Sequence, residues 1–418
     1  MKLLLIGSGG REHALASALR KDPIVEELHA APGNPGINEI ATPHAIDIND
    51  NSEVVKLAQR LEIDLVVIGP EIPLLNGLAD ACRNADIPVF GPSKAAALLE
   101  GSKDFAKQVM HDAGVPTAQS FTCTSQSEIE SALDAFGAPY VVKHDGLAAG
   151  KGVVVTQDRA EALEHALHST RVVIEEYLDG PEVSLFGISD GHTVIAMQPA
   201  QDFKRAYDGD QGLNTGGMGA YSPLPWAPES IVDETLDTVL IPTIQEMEKR
   251  GTPFIGLLYA GLALTSRGLR VIEFNARFGD PETQVLLPRL KTPLAQLLFK
   301  AATGSLQGTT LDWSSKSAVT VVLASDGYPT APVVGEPITG VNPIEGTTVF
   351  HAGTTLKDQV LHSSGGRVLT VTGLGNDLSE ARGKAYQVIS SISLRGSHYR
   401  SDIALKASVG QNNQADNH

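Results

Sequence analysis

The chain reads as a multidomain α/β protein that opens with a parallel, doubly wound sheet and closes with a small α+β unit. Three observations predict this. The first 92 residues alternate apolar strand-like runs with amphipathic helical runs, the pattern of a parallel sheet clothed by helices. The middle of the chain shifts to hairpin-like strands separated by glycine loops. And 418 residues exceed what one ordinary core holds.

Taken in order, "KLLLIG" predicts a buried strand, and "REHALASALR" a helix with Ala14, Leu15, Ala18 and Leu19 on one face. "VEELHAA", "DLVVIG" and "IPVFGP" are further strands around the helix "SEVVKLAQRL". These strands end in "GSGG", "APGNPG", "GPEIP" and "GPSK", and the carboxyl ends of parallel strands are where such sheets bind ligands. "KAAALLEGSKDFAKQVMHDAG" predicts two helical pieces leading into a second unit. There the helices "SQSEIESALDAFG" and "RAEALEHALHS" alternate with the strands "PYVVKHDG", "KGVVVT" and "RVVIEEYL". Strands at "EVSLFGIS" and "TVIAMQP" follow, then a long helix "SIVDETLDTVLIPTIQEMEKRG", the strand "LRVIEFNAR" and the helix "TPLAQLLFKAA". The last unit has strands at "KSAVTVVLAS", "TTVFHAGT" and "GRVLTVTGLG". Its closing helix puts Ala381, Ala385, Val388, Ile389 and Ile392 on one face. The expected domains are 1–101, 102–309 and 310–408, with a polar tail at 409–418.

Composition narrows the function. Thirty-two basic against 49 acidic residues give a net charge of −17, which argues against nucleic acid or an anionic membrane as partner. No apolar run is long enough to span a bilayer. The opening "MKLLLIGSGG" turns at glycine too early for a signal peptide, so the expected location is cytoplasmic. Cys82 and Cys123 form no metal or redox spacing and read as small apolar side chains.

Four motifs carry chemistry. "GSGGRE" fails the dinucleotide fingerprint, because Glu12 stands where the third glycine belongs. Its glycines serve either an anion at the helix start or merely a tight turn. "HDGLAAGKGVVV" fails the Walker pattern, with Asp145 and Gly152 at the deciding positions and strands on both sides. Five of the seven residues 146–152 are glycine or alanine, which suits a flap lying over a nucleotide, with Lys143 and Lys151 in reach of phosphate. "QDFKR" and "NTGGMGAYSP" place Lys204 and Arg205 near a second glycine run, Thr215, Gly216, Gly217, Met218 and Gly219, an anion-friendly region. In "VIEFNARFGDPETQ", strand alternation puts Glu273, Asn275 and Arg277 on one face, with Val271 beside them and Ile272 and Phe274 behind. Two oxygen ligands at i and i+2 suit magnesium, and the arginine beyond them suits a carboxylate.

Together "GSGGREHA", "APGNPG", "GPEIPL", "FGPS", "LEGSK", "KHDGLAAGKGV", "IEEYLDG", "NTGGMGAYSP", "GLLYAGL", "EFNARFGDPETQ" and "HAGT" resemble the phosphoribosylamine–glycine ligases of the ATP-grasp superfamily. The resemblance runs from residue 1 to about residue 405. It implies a Rossmann-like N-terminal domain, an ATP-grasp pair with a mobile lid at about 115–180, and a small C-terminal domain. It also implies the reaction: ATP phosphorylates glycine, and the amine of 5-phosphoribosylamine displaces phosphate from the acyl phosphate. Magnesium is the implied ion, with manganese as a substitute, and the implied assembly is a monomer or weak dimer.

By motif, Lys103 and Lys143 face the ATP phosphates beneath a flap that includes Gly146, Gly150, Lys151 and Gly152. The segment Glu175, Glu176 to Leu178 takes adenine and Glu182 the ribose. Glu273 and Asn275 take the metal. Arg277, Lys204, Asp202 and the loop Thr215 to Gly219 face glycine and the moving phosphoryl group. Gly9, Gly10, Arg11, Gly33, Asn34, Pro70 and Glu71 surround phosphoribosylamine. No general base stands out. Two departures from the family, Ser8 for Asn and His144 for Ala, are expected to be slight or to face outward, and the segment before Arg171 is short. The alternatives are another carboxylate–amine ligase of purine metabolism, a non-catalytic nucleotide sensor and, on the incomplete fingerprint, a nicotinamide dehydrogenase.

Overall fold

The computed structural model describes residues 1–146 and 152–410. The first sheet is parallel throughout, in the order Thr42–Pro43, Glu27–Pro32, Lys2–Gly7, Leu65–Ile68, Val89–Phe90. Its central strands, Lys2–Gly7 and Leu65–Ile68, are apolar on both faces because both faces are covered. Leu4, Ile6, Val66 and Ile68 enter one core, and Leu3, Leu5, Leu65 and Val67 the other. The chain leaves Lys2–Gly7 on one side and returns on the other, so the loops after Gly7 and Ile68 flank the crevice where the order reverses. Helix Gly10–Arg20 buries Ala14, Leu15 and Leu19 as expected, but also Ala16 in preference to Ala18. Helix Thr283–Leu286 and strand Thr347–His351 pack on it from a second side.

The next unit is an antiparallel sheet ordered Ser120–Cys123, Val172–Glu175, Tyr140–His144, Val153–Thr156. Helices Gln126–Phe136 and Arg159–Leu167 cover it, each started by an oxygen cap, Ser125 and Asp158. Cys123, Ile129, Leu133, Val142 and Ile174 form its separate core. Both cysteines are free and buried.

The central sheet runs Val194–Ala196, Glu182–Asp190, Ile255–Thr265, Gly268–Asn275. Strand Ile255–Thr265 escapes sequence reading because a run buried on both faces has no period to betray it. The long helix predicted near 230–251 is broken. Ile231–Thr235 passes through a π turn, Leu236–Leu240, into Ile241–Lys249. Pro242, which has no N–H to donate, stands just after that turn.

The last sheet has the order Gln201–Asp202, Gly219–Ser222, Ser317–Ala324, Arg367–Gly375, Thr347–His351. Its first two strands come from before residue 310 and bracket the loop 203–218. Helix Leu378–Ile389 packs Ala381, Ala385, Val388 and Ile389 against it, with Ile392 just beyond. Short hairpins at Arg205–Tyr207 with Gln211–Asn214, and at Thr354–Lys357 with Val360–Ser363, carry no apolar alternation and were not predicted. No helix among the described residues is long and apolar enough to cross a membrane.

Candidate active site

The strand Gly268–Asn275 does not alternate cleanly. Gly261 faces Glu273 and its neighbour Leu262 faces Val271, so Ile272 is an extra residue, a bulge. The bulge overturns the expected placement of Val271. Val271 joins Phe274 and Leu262 in the core, on the side opposite Glu273 and Asn275. It also leaves the Ile272 carbonyl outside the regular ladder, where it accepts the Lys143 ammonium at 3.0 Å.

Lysines gather around this ridge. Lys143 Nζ lies 2.7 Å from Glu175 Oε2, and Lys107 Nζ lies 3.1 Å from Oε1, so the buried Glu175 is bridged on both oxygens. Lys107 also donates to Thr117 Oγ1 and the Ala118 carbonyl. Lys103 Nζ holds the Gly146 carbonyl at 3.0 Å, and burial lowers its pKa. Asp145, just before the glycine-rich segment, accepts the Lys103 amide at 2.7 Å and pairs with Arg171 at 3.3 Å. Gly150 and Lys151 lie outside the described residues. Burial works to raise the Glu273 pKa, but Lys204, Lys143, Lys103 and Arg277 together hold it below the usual carboxylate value.

Facing the ridge is the pair Asp202 and Lys204. Lys204 Nζ meets Glu182 Oε2 at 2.6 Å. Burial pushes the Asp202 carboxyl up to about 7, against the pull of Lys204 and with the help of Glu282, Glu182 and Glu273. Glu282 Oε1 accepts Ser184 Oγ at 3.1 Å, and Ser184 meets the Tyr259 hydroxyl at 2.9 Å. The loop Thr215–Gly219 folds back on Phe203 and Lys204. Thr215 N–H donates to the Lys204 carbonyl at 2.7 Å and Met218 N–H to the Phe203 carbonyl at 2.7 Å. Gly217 has φ +106°, and a Cβ there would lie 2.4 Å from Pro281, so only glycine lets this loop rest on "GDPE". Arg367 fastens the two together. It donates to the carbonyls of Gly216 and Asp280 and pairs with Asp280 Oδ2 at 2.9 Å. Arg205, in contrast, turns into its own hairpin and donates to the Gly212 carbonyl at 2.8 Å.

Arg277 sits where the ridge meets the N-terminal domain. Its Nη2 lies 3.1 Å from Glu100 Oε1 and 3.4 Å from Asn275 Oδ1, and its Nε lies 3.6 Å from Glu71 Oε2. Nε is buried and has no hydrogen-bond partner among the described residues. Glu71 also approaches Arg11 at 3.9 Å.

The N-terminal loops are more self-contained than the sequence suggested. The anion at the start of helix Gly10–Arg20 is Glu12 itself, whose Oε2 accepts the Gly9 N–H at 2.6 Å. The glycines serve this packing: Gly7 has φ +123°, and a Cβ on it would lie 2.5 Å from Glu12 Cγ. Arg11 is correspondingly turned inward, 2.5 Å from Glu12 Oε1 and 3.2 Å from the Phe278 carbonyl. The Asn34 side chain is likewise engaged, donating to the Ser8 and His351 carbonyls at 2.8 Å and accepting the Ile37 N–H at 2.9 Å. Gly10 packs against Gln284, and Gly33 donates to the Gly7 carbonyl at 3.2 Å. Pro70 precedes the short helix that starts at Glu71. Within the expected adenine segment, the Glu176 carboxylate accepts the Gln119 N–H and pairs with Arg267, while Leu178 is half-buried in the loop beyond. His144 does not face outward. It stacks on His165 with ring centroids 4.2 Å apart.

Sequence reading missed Lys107, Glu100, Glu282 and Arg367. Lys107 lies one helical turn after Lys103 in "KDFAK", a spacing that signals one shared face. Glu100 lies in "LEGSK" and Glu282 in "GDPE", where nothing in the local pattern sets a buried acid apart from an exposed one. Arg367, in "GGRVL", carries no local signal, since its partners lie about 90 and 150 residues away.

The donor set bears on a metal ion. Among the described residues no three His, Cys, Asp or Glu side chains gather into a closed cage. Glu273 and Asn275 offer two hard oxygens on one side of a strand, with lysines at hand for phosphates. Such a set fits magnesium, which keeps few protein ligands and shares substrate phosphates.

Comparison with known proteins agrees with this arrangement. Residues 1–100, 101–283 and 318–406 match the N domain, the ATP-grasp (A) domain and the C domain of phosphoribosylglycinamide synthetase. A phosphoribosylamine--glycine ligase of Streptomyces coelicolor is 61% identical over 413 residues, covering 97% of this chain and 99% of that protein. The crystal structure of phosphoribosylamine--glycine ligase from Thermotoga maritima superimposes with a TM-score of 0.84 at 33% identity, covering 97% of this chain and all of that one. The biotin carboxylase domain of Hydrogenobacter thermophilus 2-oxoglutarate carboxylase, solved with magnesium ADP and bicarbonate, shares the fold at 16% identity. Its TM-score is 0.72, with 95% of this chain and 91% of that one covered. Likeness at this identity, sustained from the first strand to the last helix, has one meaning: the chain belongs to the phosphoribosylamine--glycine ligase family of ATP-grasp enzymes.

Proposed function

We propose that the protein joins glycine to 5-phosphoribosylamine at the expense of ATP, through glycyl phosphate, as the names of its relatives indicate. The observation that carries this reading is the bulged strand end, which presents Glu273 and Asn275 to one side with Lys103, Lys143, Lys204 and Arg277 gathered about them. A carboxylate is a poor electrophile, and phosphorylation makes it a good one. In the first step a glycine carboxylate oxygen bonds to the γ-phosphorus, the bond to the bridging oxygen breaks, and ADP departs. Charge spreads over the moving phosphoryl group, and fixed cations stabilise it. Lys103 and Lys143 hold the ATP phosphates. Arg277 offers its Nε, which makes no hydrogen bond among the described residues, to the glycine carboxylate and the phosphoryl oxygens, and Lys204 assists from the opposite wall. Magnesium, or manganese in its place, held by Glu273 and Asn275, would neutralise the triphosphate and polarise its terminal phosphorus.

In the second step the amine nitrogen attacks the acyl carbon and inorganic phosphate leaves. Asp202, with its carboxyl near 7, takes the proton that nitrogen sheds. The loops around Gly9, Gly33, Pro70 and Glu71 form the wall for phosphoribosylamine. Adenine lies along Glu176 to Leu178, with Glu182 at the ribose. The flap rooted at Asp145 and Gly146 excludes water from the acyl phosphate.

The test is direct. With ATP, magnesium, glycine and freshly made phosphoribosylamine, ADP should form at a rate that depends on both amine and glycine. ADP release that is equally fast without glycine would remove the basis of the reading.

A further inference from the structure

Arg277 is gripped by two acids of different character. Glu71 is about one-third exposed, lies 3.6 Å from Nε and is shared with Arg11. Glu100 is 6% exposed and lies 3.1 Å from Nη2. Its second oxygen, Oε2, accepts the backbone N–H of Ala276 at 2.7 Å. One carboxylate thus holds both the side chain of Arg277 and the peptide between Asn275 and Arg277. The helix that carries it, Leu98–Gly101, is itself anchored by the fully buried Leu99. It runs straight into Ser102, whose hydroxyl accepts the Phe105 N–H and caps the helix that begins at Lys103.

From this geometry we infer that Glu100 is the positioning residue for Arg277, aiming its guanidinium at the reacting carboxylate and tying that aim to the start of the phosphate-binding helix. The inference rests on the reaction proposed above. Glu100 points its two oxygens at protein donors and has no role toward substrate, so it acts through Arg277. Without its charge, the remaining acid partner is Glu71, on the side of Arg11 and the N-terminal loops, and the guanidinium would swing that way. A group misplaced by about 1 Å in such a site loses roughly 100-fold in rate.

The variant Glu100→Gln separates the two tasks. A glutamine keeps an oxygen for the Ala276 N–H and sets an uncharged amide against Arg277. The expected result is a kcat lowered roughly 10- to 100-fold, with the KM for ATP within about twofold, in a chain that still folds but melts somewhat lower because the buried guanidinium loses a charged partner. In an Arg277→Ala background the same change should lower the residual rate no further, because its target is gone. A Glu100→Gln enzyme with undiminished kcat, or losses that multiply in the double variant, overturns the inference. If Glu100→Gln does not fold, Glu100→Asp keeps the charge but shortens the reach by one methylene. A tenfold or larger fall in kcat with normal melting supports the inference, and an unchanged kcat overturns it. Failure of the unaltered chain to form ADP in a glycine-dependent way would bring down the reaction as well. An active chain with multiplying losses brings down only the role of Glu100.

Discussion

The glycine turns of the first domain and the bulged strand Gly268–Asn275 both draw charged groups inward, but they finish the job differently. Around Gly7 and Gly9 the polar groups are closed among themselves. Glu12 takes the Gly9 N–H and Arg11, and Asn34 spends both donors and its acceptor on backbone. Around the bulge the bonding is left open. Arg277 keeps a buried Nε without a hydrogen-bond partner among the described residues, and Asp202 sits with its carboxyl pushed up to about 7. A charged group that is fully bonded supports the fold, whereas one held in place with bonding capacity to spare can meet a ligand. The same residue types are therefore paired off among themselves in one region and left with spare bonding capacity in the other.

The sharpest way to break this contrast is Glu273→Ala. If the ridge is chemical rather than structural, kcat should fall by about 10^3-fold while the thermal midpoint barely moves. ADP formation and a melting curve on the same sample decide it. A variant that unfolds easily yet keeps full activity in its folded fraction would reverse the assignment. The opposite pattern is expected from Glu12→Ala. It leaves Arg11 buried beside only a distant acid, at a cost of about 3 kcal/mol in urea unfolding. The rate per folded molecule should change little.

A smaller effect tests the closed region by pH. His13 accepts the His351 N–H on Nδ1 at 2.8 Å, and burial, with His351 adding to it, lowers its pKa to about 3. Unfolded, it titrates near 6.5. Between these values the unfolded chain binds the extra proton, so its stabilising contribution is whole above pH 6.5 and declines as the pH falls toward 3. At pH 5 the loss should be about 2 kcal/mol relative to pH 7. His13→Gln, which keeps an acceptor for the His351 N–H, should flatten that slope in urea titrations. A slope identical to the parent would show that His13 is not the group responsible.

Much of this was legible in the chain itself. Alternating runs revealed the parallel sheet, and the motifs around Lys103, Lys143, Glu273 and Arg277 pointed to residues that fold together. What stayed hidden has physical causes. Strand Ile255–Thr265 is buried on both faces and shows no period. The bulge at Ile272 inserts one residue and reverses the side on which Val271 falls, which strict alternation cannot foresee. The Gly9 N–H is taken by Glu12, three residues on, a pairing that no motif of the sequence announces. Arg367 acts across about 150 residues of sequence, where local pattern carries no information.

The last sheet has a practical consequence. Strands Gln201–Asp202 and Gly219–Ser222, which bracket the loop 203–218, are hydrogen-bonded into the same sheet as Ser317–Ala324 and Arg367–Gly375. The final hundred residues are therefore not a detachable module. A chimera that exchanged them with a relative's would replace the floor under Lys204 and the clamp of Arg367 in one stroke, and would have to import residues 199–223 along with them to keep the seam intact.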